Sequence, residues 1–257
     1  MSKSEGCKQS ITFPIKPPGP PKVWKVIDIK KKDAEVPIRF TIQEVPEDRY
    51  EEVVEHMCKY FIVDEPMCKC INGIDDPEYV EMFRCLWSDF IKCGLSIAAF
   101  VENPDGGKPI LAGVNILTLS FKDEKLDNEI INEKTIQSEK GNAVMDVVVG
   151  MSKEAKVFEK YGVDKYMNAF GLSVNPKYRG ASLGGHILNA RVEVGREYNI
   201  PVTVTAFTSP ISQKLAERCG FETLLERNYD EFVDKKGNLI FPGIESKSMK
   251  IMGRRLF

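Results

Sequence analysis

The stretch of this 257-residue chain best suited to chemistry is Phe170-Gly-Leu-Ser-Val-Asn-Pro-Lys-Tyr-Arg-Gly-Ala-Ser-Leu-Gly-Gly-His186. A run of strand-forming residues ends, Pro176 opens a turn, and a glycine-containing loop leads into a helical pattern. Main-chain N–H groups at such a loop-to-helix start, with no bulky side chains before them, form an anion site. Gly180, Gly184 and Gly185 allow close approach and Arg179 adds a fixed positive charge. A diphosphate suits such a loop, although an ordinary turn would use the same glycines.

Other chemistries share these residues. Gly180-Ala-Ser182-Leu-Gly184 fits the Gly-x-Ser-x-Gly elbow of a nucleophilic serine, which needs a histidine base further along the chain. The chain has only His56, which lies upstream, and His186, four residues on and locked into the same helix. The elbow lacks its base. No Gly-Lys-[Ser/Thr] closes the loop as a nucleoside triphosphate site would require. Cys68 and Cys70 form a Cys-x-Cys pair, but zinc needs two further ligands at workable spacing, so no metal is expected.

Secondary-structure elements must hold the loop in place. Phe13 to Pro21 reads Phe-Pro-Ile-Lys-Pro-Pro-Gly-Pro-Pro, which predicts an extended or disordered arm over residues 1–36. Regular structure is predicted to begin near Ile38, where Ile38, Phe40 and Ile42 alternate with polar residues. Tyr50, Val53, Val54, Met57, Cys58 and Phe61 share one helix face. Asp76-Pro77 opens a second helix carrying Phe83, Leu86, Trp87 and Phe90. Leu95 to Val101 and Ile110 to Leu119, joined by Asn103-Pro-Asp-Gly-Gly107, read as a hairpin. Charged residues 121–141 read as a mobile excursion, and Ser152 to Tyr161 as a short helix. Strands are predicted at Ala169 to Val174, Pro201 to Phe207, Glu222 to Phe232 and Ser246 to Met252. A helix is predicted from Ser182 to Tyr198, its inner side carrying Leu183, Ile187, Leu188 and Val194. The next is capped by Ser209, turns Ile211, Leu215 and Cys219 inward and ends at Gly220.

Bulk properties narrow the function. Lys and Arg number 36 against 38 Asp and Glu, which gives no electrostatic case for nucleic acid. Seven cysteines show no paired framework, and no run approaches the about 18 apolar residues that span a bilayer. Reduced thiols, a cytoplasmic address and no membrane contact are expected.

Val174-Asn-Pro-Lys-Tyr-Arg-Gly-Ala-Ser-Leu-Gly resembles the acyl-CoA signature of GNAT acetyltransferases. Ser209-x-x-Ser-x-x-Leu-Ala-Glu-Arg-Cys-Gly-Phe221 resembles their second motif, a helix closing in Gly-Phe. Phe61-Ile-Val-Asp-Glu-Pro66 is similar to the Phe-x-x-Asp-Glu-Pro motif of insect-type arylalkylamine N-acetyltransferases. The resemblance covers roughly residues 38–254 and implies an α/β (α+β) GNAT fold. About seven strands would form a mixed central sheet flanked by helices, in a single domain over 37–257.

It also implies acetyl-CoA as cosubstrate and a small primary amine as acceptor, in a monomer or weak homodimer. An arylalkylamine is the family default, and a polyamine is open. Two rivals are a CoA-binding sensor of the same fold without turnover and a protein N-terminal or lysine acetyltransferase. By the resemblance Glu65 is the general base, with Asp64 beside it to cap or orient. Ser212, with Thr208 and Ser209 adjacent, would return a proton to the thiolate. Leu172, Ser173 and Val174 would present main-chain donors to the thioester. Arg179, Gly180, Ala181, Ser182, Leu183, Gly184 and Gly185 would hold the diphosphate, and Ser209 would be a further cosubstrate contact. The acceptor pocket would be walled by Phe61, Ile62, Met67 and the segment 143–170. Two residues depart from the pattern: Ser182 replaces the middle glycine, and Ala216 stands where many members carry an acidic tyrosine. Cys219 reads as core.

Overall fold

The structure is a computed structural model that describes residues 15–30, 35–122 and 138–257. Its strands are β1 (Val23–Ile29), β2 (Ile38–Glu44), β3 (Ile97–Val101), β4 (Ile110–Phe121), β5 (Lys165–Val174), β6 (Val202–Phe207), β7 (Glu222–Asn228) and β8 (Ser248–Arg255). They form one sheet in the order β1-β2-β3-β4-β5-β6-β8-β7. Every neighbouring pair is antiparallel except β5 and β6, which run parallel.

The helices are α1 (Tyr50–His56), α2 (Pro66–Cys70), α3 (Pro77–Phe90), α4 (Glu139–Glu154), α5 (Val157–Tyr161), α6 (Leu183–Asn189), α7 (Arg191–Glu197) and α8 (Pro210–Arg218). α1 continues through a π-helical turn at Met57–Phe61 and a short helical turn at Ile62–Asp64. One face of the sheet packs on α1, α3 and α4 through Val53, Met57, Phe83, Trp87 and Val144. The other packs on α6 and α7 through Leu183, Ile187 and Val194. A smaller cluster of Leu188, Phe207, Ala216, Cys219 and Phe221 seats α8. β4 is buried along almost its whole length, and reads as a mostly apolar run interrupted by Asn115, Thr118 and Ser120, because both of its faces are covered.

The structure changes several sequence expectations. Regular structure starts at Val23 rather than near Ile38, so the described sheet has eight strands rather than about seven. β1 lies at the sheet edge with Val23 and Val26 exposed, which leaves little periodic signal for reading it in the sequence. The described part of the proline-rich run before it, from Ile15 on, is anchored. Ile15 N–H donates to Cys93 O, and buried Glu44 accepts from Lys16 Nζ at 2.7 Å, from Lys22 N–H and from the Tyr198 hydroxyl.

The single helix predicted over 182–198 is divided at Ala190 into α6 and α7. The short helix predicted over 152–161 is instead the end of α4 followed by α5, the chain turning through left-handed Lys156. Of the predicted excursion at 121–141, residues 123–137 lie outside the described residues. Ile211 is 83% exposed rather than inward, because Gln213, Ala216 and Cys219 form the inner stripe of α8.

Candidate active site

The parallel pair β5/β6 is in register only at Met167↔Thr203 and Asn168↔Val204. Beyond these residues both strands continue, to Val174 and Phe207, without pairing to each other. The divergence coincides with a register shift between β4 and β5 at Asn115/Leu117. An irregularity of this kind bends a strand. Gly171 sits within it at φ +109°, a conformation open to glycine and strained for other residues. Asn115 Nδ2 donates to Gly171 O at 2.7 Å, and Trp87 Nε1 donates to Phe170 O at 2.8 Å, so both sides of the bend are held.

A cavity of about 160 Å³ occupies this gap. Its walls come from both faces of the sheet. Phe61, Met67, Phe83 and Val144 belong to the core on one face, and Leu188 and Leu215 to the cluster under the other. Glu65, Thr208 and Ser212 line it together with Leu172, so the three expected catalytic residues and one expected cosubstrate contact meet there. Phe61 and Met67 are walls as expected. Ile62 is not among the lining residues, and its side chain is fully buried in the core. A second cavity of about 480 Å³ shares Val148 and Phe170 with the first and carries Lys122, Lys153 and Lys156.

Local sequence explains how Glu65 is presented. Pro66 disfavours a helical residue before it, and Glu65 duly adopts ψ 129° and leaves the helix. Pro66 then occupies the first turn of α2, with Glu65 as its N-cap: Oε2 accepts the Cys68 N–H at 2.7 Å. Oε1 is buried with no hydrogen-bond partner among the described residues. A buried, unsatisfied carboxylate oxygen beside an apolar cavity is costly and is suited to accepting a proton or hydrogen bond from a ligand. The capping role expected for Asp64 thus belongs to Glu65, while Asp64 Oδ2 accepts from Arg179 Nη2 at 2.6 Å.

Arg179 also donates through Nε to Val174 O at 2.7 Å. It therefore ties the end of β5 to the corner that carries Glu65. Removing it takes away positive charge and slackens that tie. Arg179→Ala is expected to raise the acetyl-CoA KM by about tenfold, roughly the worth of a charge-assisted hydrogen bond, with kcat within about threefold. Steady-state kinetics with acetyl-CoA varied would check this.

In the loop, the N–H groups of Gly180 through Gly184 meet no backbone acceptor among the described residues, as a diphosphate cradle requires. Leu183 is buried in the core, leaving only its main chain to face a ligand. Gly180 has φ +81°, and Ser182 has φ +57°, left-handed where the GNAT signature carries glycine. A non-glycine residue pays about 1 kcal/mol for that conformation, partly offset by the greater unfolded-state freedom of glycine. Ser182→Gly is expected to raise the thermal midpoint by about 1–2 °C in a denaturation scan without weakening CoA binding.

The remaining candidates have defined partners. Ser173 Oγ lies 3.1 Å from His56 Nε2, on a ring that burial pushes down to about 4, leaving it neutral. Ser209 and Ser212 form a reciprocal capping box for α8, with Ser212 Oγ donating to Ser209 O at 2.9 Å. Ser209 and Ala181 do not line the cavity. Ala216 is buried on the inner face of α8 and also stays outside the cavity. Cys219 is buried core, as expected. The Cys68 thiol receives the Tyr79 hydroxyl at 2.9 Å, and burial raises it well above its usual range, so it remains a thiol. No group of three or more residues able to hold a metal occurs among the described residues.

Sequence reading missed Arg191, a fully buried cavity residue. The signal was present: Arg191 lies four residues after Ile187 and three after Leu188, on the apolar stripe of the helix.

No family model and no curated protein matches the sequence. Solved structures do. Arylalkylamine N-acetyltransferase 7 of the yellow fever mosquito Aedes aegypti is 33% identical, with a TM-score of 0.84 over 96% of this chain and 100% of the mosquito chain. Arylalkylamine N-acetyltransferase 2 of the same mosquito is 25% identical, with a TM-score of 0.71 over 85% of this chain and 99% of its own. A Drosophila melanogaster polyamine N-acetyltransferase shares the fold, at 16% identity and a TM-score of 0.70 over 84% of this chain and 99% of its own. Identity at that level over nearly the whole length, with the splayed parallel strands and the Asp-Glu-Pro corner in place, means that the chain belongs to the insect-type arylalkylamine N-acetyltransferase family of the GNAT superfamily.

Proposed function

We propose that the protein transfers the acetyl group of acetyl-CoA to a small primary amine by direct attack within a ternary complex. The observation that carries this reading is the buried, orphaned Oε1 of Glu65, a residue that lines a cavity passing through the sheet beside the loop of free N–H groups. The cosubstrate fits from the α6 side: its diphosphate lies over Gly180 to Gly185 near Arg179, and its thioester runs along the unpaired edge of β5 at Leu172 to Val174. The amine enters from the side of Phe61, Met67 and Val144.

A free alkylamine has a pKa of about 10, so only about one molecule in a thousand is neutral at pH 7. Glu65 Oε1 attracts the ammonium, takes its proton and leaves the nitrogen lone pair free to attack. The N–H groups of β5 receive the carbonyl oxygen as charge develops on it. Thr208 and the Ser209–Ser212 pair return a proton to sulfur. The relatives are named for arylalkylamines and, in the fly enzyme, for forming N-acetylagmatine. We favour an arylalkylamine, since Phe61, Phe83 and Phe170 give the cavity aromatic walls. The free thiols of Cys58, Cys68, Cys70, Cys85, Cys93 and Cys219 support a reduced, cytoplasmic setting.

Thiol release from acetyl-CoA, measured with arylalkylamines, polyamines and short peptides in turn, tests the proposal. Turnover with an amine supports it. Thermal stabilisation by acetyl-CoA without thiol release from any acceptor would leave a CoA-binding protein instead.

A further inference from the structure

The cavity contains a charge that the steps above leave unused. Arg191, the first residue of α7, is 1% exposed and reaches up between the strands. Its Nε donates to Asn115 Oδ1 at 2.8 Å, and its Nη1 donates to Thr203 Oγ1 at 3.1 Å and Thr205 Oγ1 at 2.8 Å. These partners are all neutral. No carboxylate pairs with it among the described residues, and Nη2 makes no hydrogen bond there. Burial lowers this guanidinium to about 9, so it remains a cation at neutral pH. A buried charge without a counter-ion is disfavoured in a structural role, because three neutral hydrogen bonds and the Phe221 ring 5.9 Å away offset only part of its lost hydration.

Its position indicates what would offset that loss. Glu65 projects from the corner before α2 on one face of the sheet, and Arg191 from α7 on the other; both line the same cavity in the gap between β5 and β6. The acceptor amine belongs to the Glu65 side and the acyl donor to the Arg191 side. During transfer the nitrogen lone pair forms the C–N bond, the C–S bond breaks and its electron pair leaves on sulfur. The proton on nitrogen goes to Glu65.

The sulfur therefore gains negative charge, and the usual acid is missing at Ala216. The other titratable wall among the described residues, the Cys68 thiol, is bonded by Tyr79. The Ser212 hydroxyl donates to Ser209 O and must leave that bond before it can return a proton to sulfur. We infer that Arg191 is a catalytic residue that stabilises the departing CoA thiolate with a fixed, desolvated positive charge, so that breaking the C–S bond does not depend on simultaneous protonation. The thiolate then takes its proton from a neighbouring hydroxyl or from water.

This inference rests on the acetyltransfer reading, and the test separates the two. Thiol release by native protein with acetyl-CoA and its best amine comes first; no release from any acceptor removes the acetyltransfer reading itself. With native turnover established, Arg191→Met is expected to lower kcat by about 10²-fold while the acetyl-CoA KM stays within about threefold, and Arg191→Lys to recover part of the loss. A folded Met variant with kcat within threefold of native overturns the inference.

A measurement without variants guards against misfolding. The ultraviolet absorbance of the CoA thiolate, followed with pH on native protein, is expected to show at least a tenfold larger thiolate fraction for bound than for free CoA below the free thiol's midpoint. An equal fraction overturns it too. So would faster turnover with a succinyl than an acetyl donor that disappears in the Met variant, since Arg191 would then anchor an acyl carboxylate.

Discussion

Glu65→Gln is expected to lower kcat/KM for the acceptor amine by about 10²-fold or more near neutral pH and to abolish the acidic limb of its pH profile. The substitution isolates the chemistry because Glu65 has two separable duties. Oε2 caps α2 through the Cys68 N–H, and a glutamine carbonyl can accept the same bond. Oε1 is buried without a partner on a residue that lines the cavity, and an amide there can neither take a proton nor balance an ammonium. Stability should change by less than about 1 kcal/mol, the usual worth of a cap, while turnover collapses. Stopped or steady-state thiol release across pH, alongside a thermal scan, reads both quantities. A variant with native kcat/KM and an unchanged acidic limb removes Glu65 from the mechanism.

Gly171→Ala is expected to cost about 2–3 kcal/mol, lowering the thermal midpoint by roughly 5–10 °C, and to reduce kcat/KM by at least about tenfold. Two effects add. The backbone has φ +109°, where an L side chain is strained. A methyl there would also lie 2.6 Å from Met57 Cε and 2.9 Å from Phe61 Cε2, forcing both to shift. Phe61 is a cavity wall, and Gly171 O anchors Asn115, which in turn holds Arg191. The strain thus reaches the acceptor wall and the donor-side cation together. Native stability with native activity would show that the bend at Gly171 is not what keeps β5 and β6 apart.

The amino-acid sequence alone determined the local machinery. Strand, turn and helix around the diphosphate loop follow from short-range signals: Pro176, the glycines after Arg179 and an apolar stripe of helical period. The capping of α3 by Asp76 and of α8 by Ser209 could be read from the same kind of signal. So could the break at Glu65-Pro66, since proline acts on the residue just before it.

Tertiary structure decided the remainder, because it depends on which distant groups meet. β1 has a mostly exposed edge face and takes its place only by pairing with β2. Arg179 was expected at phosphate, yet its partners include Asp64, 115 residues away in the chain. Glu65 takes over the cap expected of Asp64, and Asp64 pairs with Arg179 instead: the cap is set by proline, but the ion pair is set by how β5 packs against the helix before α2. Arg191 shows the limit most plainly. In sequence it is one of 36 Lys and Arg, marked out only by its place on the apolar stripe of its helix. Only when β5 parts from β6 does its guanidinium gain a cavity to face, and only burial without a carboxylate makes that charge strong enough to matter.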